Sequence, residues 1–554
     1  MREQGPAAGA AALAGGRPRA TQASGRRAIG IGIAGPGCAF VAALILYLAT
    51  LAPSITLANG ASDSGELASA AYTLGIAHPT GYPLYTLAGF VVTHLGRDEP
   101  AHLLNIFSAV MGALCVGLVT LIGLTAARRV RPEAGGPLVA AAALGATASL
   151  ALCPYFWTEA TVVETRTLAL ALDAAVLALF VVPERPGHRA AMAASVLYGL
   201  ALCDHLLSLY LAPAVVLLAA AWAGRRVRRW LLLAALFAAG LAPYLYLPLR
   251  AAANPVANWG APDTLGRVLW VVTGAQYRYL MGGLAPPALA SRIGDLLGLI
   301  AGQIPWPALA AAALGEGALL ATRGARRLGV VLVLTFAADV VLTSAYQAAA
   351  APVYLLLGLL CLSVAAAVGW LVAATAIARL LARARLAAPT ATAVAVVLLL
   401  ATANEVGPAT AARAAVALAG STAARDGGVA ALRRLPRDAI IFAEDDEASF
   451  PLWYAQRGLG LRPDVTIVAA GLLNYSWYDR QMRALPAFDA GKLPPADPTD
   501  DLTGDLGVGP LREAALAAAA VPGHPVYLVA PTPALGGVCR QIFQPARGAY
   551  ACVP

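Results

Sequence analysis

Charge is what this chain lacks. Only 12% of its 554 residues are Asp, Glu, Lys or Arg, against about 25% in an ordinary soluble domain. A single lysine, Lys492, stands among them, and arginine carries the rest of the basic charge. With so few charges, a mean hydropathy of +0.70 and 59% hydrophobic residues, the chain is a polytopic membrane protein. Metal-ligand spacing is absent from the seven cysteines, five of which lie in or beside apolar spans as small packing residues. A signal peptide's short apolar core and cleavage site are also missing. Residues 1–28 instead predict a disordered basic cytoplasmic tail (Arg2, Arg17, Arg19, Arg26, Arg27) before an uncleaved first span. The net charge of +9 does not signal a nucleic-acid partner, because the arginines are dispersed between apolar runs as membrane topology requires.

A membrane helix takes roughly 20 apolar residues, and about eleven such spans are expected. They fall near 29–51, 103–126, 137–153, 163–182, 190–204, 206–223, 230–248, 293–320, 328–347, 353–376 and 388–404. Together they make a transmembrane domain over 29–405, with a first outside loop at 52–102. Arginines cluster at alternate junctions: Arg128, Arg129 and Arg131; Arg185 and Arg189; Arg225, Arg226, Arg228 and Arg229; Arg323, Arg326 and Arg327; Arg379, Arg383 and Arg385. That side is cytoplasmic with the N-terminus, and an odd number of spans leaves the C-terminus outside. Residues 406–554 are richer in Pro, Asp and Glu. Short apolar runs at 438–444, 464–470 and 525–530, with helical stretches near 449–459 and 474–484, predict an extracytoplasmic α/β domain with a parallel sheet. The segment 485–510 is a Pro, Asp and Gly loop.

Candidate chemistry gathers on the outer side. Asp63-x-x-Glu66, ahead of an apolar helix, has the form of a capping box, in which Glu66 reaches back to the helix start. The same carboxylate at the membrane face could serve as a general base for a hydroxyl. In IAHPTGYPLY (76–85), Pro79 and Pro83 break any helix, which leaves His78 in a shaped turn able to hold a phosphate or orient Asp63. Glu159, Glu164 and Arg166 crowd one outer junction. A spacing of two does not put Glu164 and Arg166 on one helix face, so each is expected to pair with another span. Asp173 lies mid-span as a structural or relay acid, and Asp204 and His205 close the fifth span. Arg250 leaves a span into an outside loop with Asn254, Asn258, Trp259, Gln276 and Tyr277. Its planar fork suits a phosphate, and an interfacial anchor is the other reading. Glu444-Asp445-Asp446-Glu447 is either a cation site or a strand end that caps the next helix. Cys539 and Cys552 are the cysteines of the outer domain, and an oxidising compartment would let them pair.

The stretch APSITLANGASDSGELASAAYTLGIAHPTGYPLYTLAG resembles the signature of a bacterial membrane family described as a domain of unknown function, shared with animal transmembrane protein O-mannosyltransferases. YLYLPLRAAANPVANWGAP (244–262) and residues 436–478 are similar to further family segments. GLALCDHLLSLYLAPA (199–214) is another, with Asp204 where the family has Asn. Two places depart from the pattern. TSAYQAAAAPVYLL (343–356) has no acid after Tyr346, and the Gly-Asp-Asn-Asp of the family is Glu444-Asp445-Asp446-Glu447 here. The resemblance implies a GT-C glycosyltransferase fold, with Asp63 at the position of the catalytic acid.

Two functions of different class are therefore expected. One is an inverting glycosyltransferase of the cytoplasmic membrane. It would take a sugar, mannose by the resemblance, from a polyprenyl-phosphate donor to a hydroxyl of an exported protein or a glycan. Asp63 would be the base, His78, Arg250, Asn254 and Asn258 would meet the donor phosphate, and no cofactor or metal is indicated. The other is a transporter or flippase for an anionic or polyprenyl-linked lipid. It would place its polar groups near the midplane instead of at one face.

Overall fold

Alanine- and leucine-rich runs, seven of them with proline in the first turn, set the architecture of the first 384 residues. The computed structural model describes residues 20–183, 187–348, 351–384, 416–495, 508–529, 541–546 and 549–553. In order come α1 (Ala20–Leu48), α2 (Ser64–Thr73), α3 (Pro83–Leu95), α4 (Pro100–Val130), α5 (Gly136–Ala151), α6 (Pro154–Glu159), α7 (Arg166–Val181) and α8 (His188–Asp204). Then follow α9 (Ala212–Ala223), α10 (Val227–Gly240), α11 (Tyr246–Ala252), α12 (Leu265–Val272), α13 (Pro286–Gln303), α14 (Trp306–Ala321), α15 (Arg326–Ala345) and α16 (Leu356–Arg383). Proline stands in the first turn of α3, α4, α5, α6, α9, α13 and α14, where its missing N–H has no helical partner to lose.

Helix α1 is apolar on both faces. In α1, Ala39, Ala43 and Tyr47 are buried one turn apart while Val41 and Ile45 stay exposed, a pattern that suits lipid. Gly315 of α14 and Gly369 of α16 bring two backbones together. A Cβ on Gly315 would lie 1.9 Å from the Ala365 carbonyl oxygen, and one on Gly369 1.8 Å from that of Ala311. Such small-residue contacts are how membrane helices pack closely.

Among the described residues, 4 helical segments are long and apolar enough to cross a membrane: Pro100–Val130, Leu206–Ala223, Arg326–Ala345 and Ala351–Arg383. The count rises to 6 if each of two bent pairs is one span. The multi-pass character holds, while the figure of eleven remains an expectation, and its last span, 388–404, lies outside the described residues. One expected span is corrected. The run 293–320 is two helices, α13 and α14, meeting at 111°, because Pro305 and Pro307 interrupt the hydrogen-bond ladder. The expected tail is also shorter, since α1 starts at Ala20. The segment 52–102, expected as the first outside loop, holds α2 and the apolar α3.

The C-terminal sheet has the order β2-β1-β3-β5-β4, from β1 (Ile440–Ala443), β2 (Thr466–Ala469), β3 (Val526–Leu528), β4 (Gln541–Ala546) and β5 (Ala549–Val553). The expected parallel trio is present, with Ile440 opposite both Thr466 and Val526. An antiparallel hairpin, β4–β5, extends it. All of β1 is buried, as a central strand covered on both faces must be.

This domain sits directly on the first loop. A Cβ on Gly65 of α2 would be 2.6 Å from the Phe450 carbonyl oxygen, so only glycine allows α2 to lie against the helix Asp446–Trp453. Glu99 clamps the same junction. It accepts from Tyr454 Oη at 2.8 Å, from Arg425 Nη1 at 3.1 Å and from the Ser54 hydroxyl.

Candidate functional site

The turn at 76–82 is held by α2 from one side. Glu66, one turn into α2 and buried, points its carboxylate across at His78. The His78 backbone N–H donates to Oε1 at 3.0 Å, and His78 Nδ1 lies 3.0 Å from Oε2. The capping-box reading of Glu66 is thereby corrected. Asp63 is the N-cap by position, but its side chain makes no capping bond there, and the Glu66 carboxylate reaches the turn instead of the helix start.

His78 Nε2 meets Tyr82 Oη at 3.1 Å and lies 4.0 Å from Asp63 Oδ2. Burial disfavours the imidazolium, but the Glu66 and Asp63 carboxylates outweigh it and push His78 up to about 9. At neutral pH the residue is therefore a cation between two acids. The Asp63 side chain keeps 34% of its surface exposed and opens into a cavity of about 320 Å³. The cavity is roofed by the C-terminal domain through Glu444, Asp445, Asp446 and Tyr475, and walled by Trp259, Gln276, Tyr277 and Tyr279.

Trp259 is the hub of that wall. Its Nε1 donates to Gln276 Oε1 at 2.9 Å, and its ring meets His78, Phe450, Trp453 and Trp477 with centroids 5.9–6.4 Å apart. Asp445 caps the helix Asp446–Trp453 by accepting from the Ala448 N–H at 2.8 Å, so the acidic run does act as a helix start. Desolvation at the cavity wall, then the Asp63 charge, push the Asp446 carboxyl up to about 6. Among the described residues no group of three or more His, Cys, Asp or Glu side chains is placed to hold a metal.

Glu159, Glu164 and Arg166 come together, against the expectation of separate partners. Arg166 Nε is 2.7 Å from Glu159 Oε2, and its Nη2 is 2.7 Å from Glu164 Oε1. The helix argument fails because α7 begins only at Arg166 and the chain turns before it. Behind them, His205 stacks on Tyr82 and faces Tyr354, each with a centroid distance of 5.6 Å, while its Nδ1 accepts from the Leu207 N–H. Asp204 is fully buried. Asp173 accepts from Ser208 Oγ at 2.9 Å.

Arg250 is not brought beside Asp63. It donates to the carbonyls of Leu74 at 2.5 Å and Thr73 at 3.3 Å, closing the C-terminal end of α2. Asp63 stands at the other end of that ten-residue helix, roughly 15 Å away along its axis. Asn254 is exposed, and Asn258 Nδ2 approaches its Oδ1 at 3.4 Å. Tyr82 and the Glu99 clamp went unmarked in the sequence; their partners lie 326 and 355 residues away in the case of Glu99. Cys539 lies outside the described residues. Cys552 is in β5, where its backbone pairs with Val526.

The fold and the site together define a class. The architecture is similar to that of ArnT from Cupriavidus metallidurans. One structure of it, bound to undecaprenyl phosphate, matches at a TM-score of 0.57 and 15% identity over 92% of this chain and 97% of that one. The apo structure matches at 0.56 and 15%, over 96% and 98%. At that identity the shared property is the fold, the GT-C type expected from the sequence. The particular relatives are found by sequence. Residues 63–238 match the Protein O-mannosyl-transferase TMEM260 N-terminal domain, and 424–502 the TMEM260-associated domain 2. The mouse Protein O-mannosyl-transferase TMEM260 is 31% identical over 243 residues, 41% of this chain and 32% of that protein. The Dictyostelium discoideum protein is 39% identical over 56 residues, 10% of this chain and 6% of its own. The chain thus spans about a third or less of the curated relatives it matches.

Proposed function

We propose that the chain is an inverting membrane glycosyltransferase. It moves a sugar, mannose by its relatives' names, from a polyprenyl-phosphate donor to a Ser or Thr hydroxyl of an exported protein, at the outer face of the cytoplasmic membrane. The observation that carries this reading is Asp63. It opens into a cavity between the first loop and the C-terminal domain, while a buried acid holds the adjacent His78 as a cation.

In this reading the acceptor O–H gives its proton to Asp63. The oxygen attacks the anomeric carbon, and the bond from that carbon to the phosphate oxygen breaks. The electron pair leaves on the polyprenyl monophosphate. The charge that develops there is met by fixed cations and donors instead of bulk water, with His78 at the turn as the cation nearest Asp63. Arg250 serves the site by holding α2, and the acidic and aromatic roof formed by 444–475 receives the acceptor.

The test is transfer activity in membranes at matched expression, with a polyprenyl-phosphate mannose donor. Asp63→Asn removes the base and should slow turnover by about 10² to 10⁴, without unfolding the chain, since the carboxylate makes no capping bond. Wild-type turnover in Asp63→Asn would sink the mechanism and move the lipid-transport reading ahead.

A further inference from the structure

A second cavity, of about 370 Å³, lies at the end of the helix bundle away from Asp63. α4 begins beside the first loop and runs 31 residues, about 45 Å, before Arg129 reaches this cavity. Helices α7, α9 and α15 meet it there. Among the described residues its lining holds Arg129, Arg323 and Arg327 and no acidic residue. We propose that this cavity binds the phosphate headgroup of an anionic membrane lipid.

The arginines divide the work. Arg129 Nη2 donates to the carbonyls of Val181 at 2.5 Å and Pro183 at 2.8 Å, so it closes the end of α7 and shapes the pocket. Arg323 and Arg327 have no ion-pair or hydrogen-bond partner among the described residues, and both are exposed at the cavity. They flank the start of α15 at Arg326, where the helix dipole adds partial positive charge. Two guanidinium forks beside a helix N-terminus match the bidentate geometry of a phosphate.

The rest of the lining selects a lipid over a free anion. Phe180 and Leu328 belong to an apolar wall between the helices, where acyl chains would lie. Trp222, which carries Arg229 over its ring at 4.8 Å, stands where tryptophan marks a membrane interface. Basic pockets between membrane helices bind anionic headgroups in this way. The site lies apart from Asp63 and does not depend on the transfer reading.

The experiment is thermal unfolding of the full chain in neutral detergent, with phosphatidylglycerol, phosphatidylcholine of the same acyl chains, or inorganic phosphate added. Phosphatidylglycerol alone should raise the midpoint. The pair Arg323→Gln and Arg327→Gln should weaken that response at least tenfold in lipid concentration, about the loss expected for one or more charge-assisted contacts. Arg323→Lys with Arg327→Lys keeps the charge without the fork and should fall between. An equal shift with phosphatidylcholine, or with inorganic phosphate, would overturn the headgroup assignment. So would a glutamine pair, or a lysine pair, that responds as the wild type does.

Discussion

Glu66→Gln isolates the charge that holds the His78 turn. Glutamine keeps the shape and can still accept the His78 backbone N–H, but it cannot balance an imidazolium. In the wild type His78 rises from 6.5 to about 9, and each pH unit is worth about 1.4 kcal/mol, so the shift contributes on the order of 3 kcal/mol. Because the folded value is the higher one, that stabilisation is complete below about pH 6.5. It is lost as pH rises through about 9. A hydrogen bond to a charged group is worth about 1.5 to 3 kcal/mol, so removing the Glu66 charge should lower His78 by roughly one to two units. The variant should be the less stable protein at pH 6.5. By pH 10 the gap should close or reverse, since the wild type then buries a carboxylate beside a neutral ring. Unfolding midpoints of both proteins in one detergent, from pH 6 to 10, measure this. A gap of the same size at pH 6.5 and pH 10 would refute the pairing as the source of the His78 charge.

Three further outcomes follow from the geometry. Arg250→Ala should lower stability by about 1 to 3 kcal/mol, by leaving the Leu74 and Thr73 carbonyls without donors; weakened donor binding at unchanged stability would instead return Arg250 to the phosphate. Asp446→Asn should raise the unfolding midpoint at pH 8 and leave it unchanged at pH 4, because an acid pushed up to about 6 costs stability only once it ionises. A reporter active only in the cytoplasm should be silent when fused after Pro554, and signal from it would invert the arginine-based orientation.

The parts legible in the sequence are those that local pattern controls. Arginine spacing and apolar runs gave the membrane class, and the three apolar runs after residue 436 gave β1, β2 and β3, because each signal is contained in a short window. The break at Pro305 and Pro307 was equally local, yet continuous hydrophobicity on both sides disguised it as one span. What pattern could not supply was partnership. Asp63-x-x-Glu66 satisfies the capping motif, and only the arrival of His78 twelve residues later turns Glu66 outward from its own helix. Arg250 reads as a phosphate ligand until the C-terminal end of α2, 176 residues earlier, claims its guanidinium. In both cases a polar side chain that local rules leave open is taken by whichever unsatisfied group the fold delivers first, since a buried donor or acceptor left alone costs more than the motif is worth. The same argument gives Asp63 its meaning. It is the acid of this segment that the fold leaves without a hydrogen-bonded structural commitment, 4.0 Å from a charged histidine and open to a cavity. On the mechanism proposed above, that free carboxylate is the group that meets the acceptor hydroxyl.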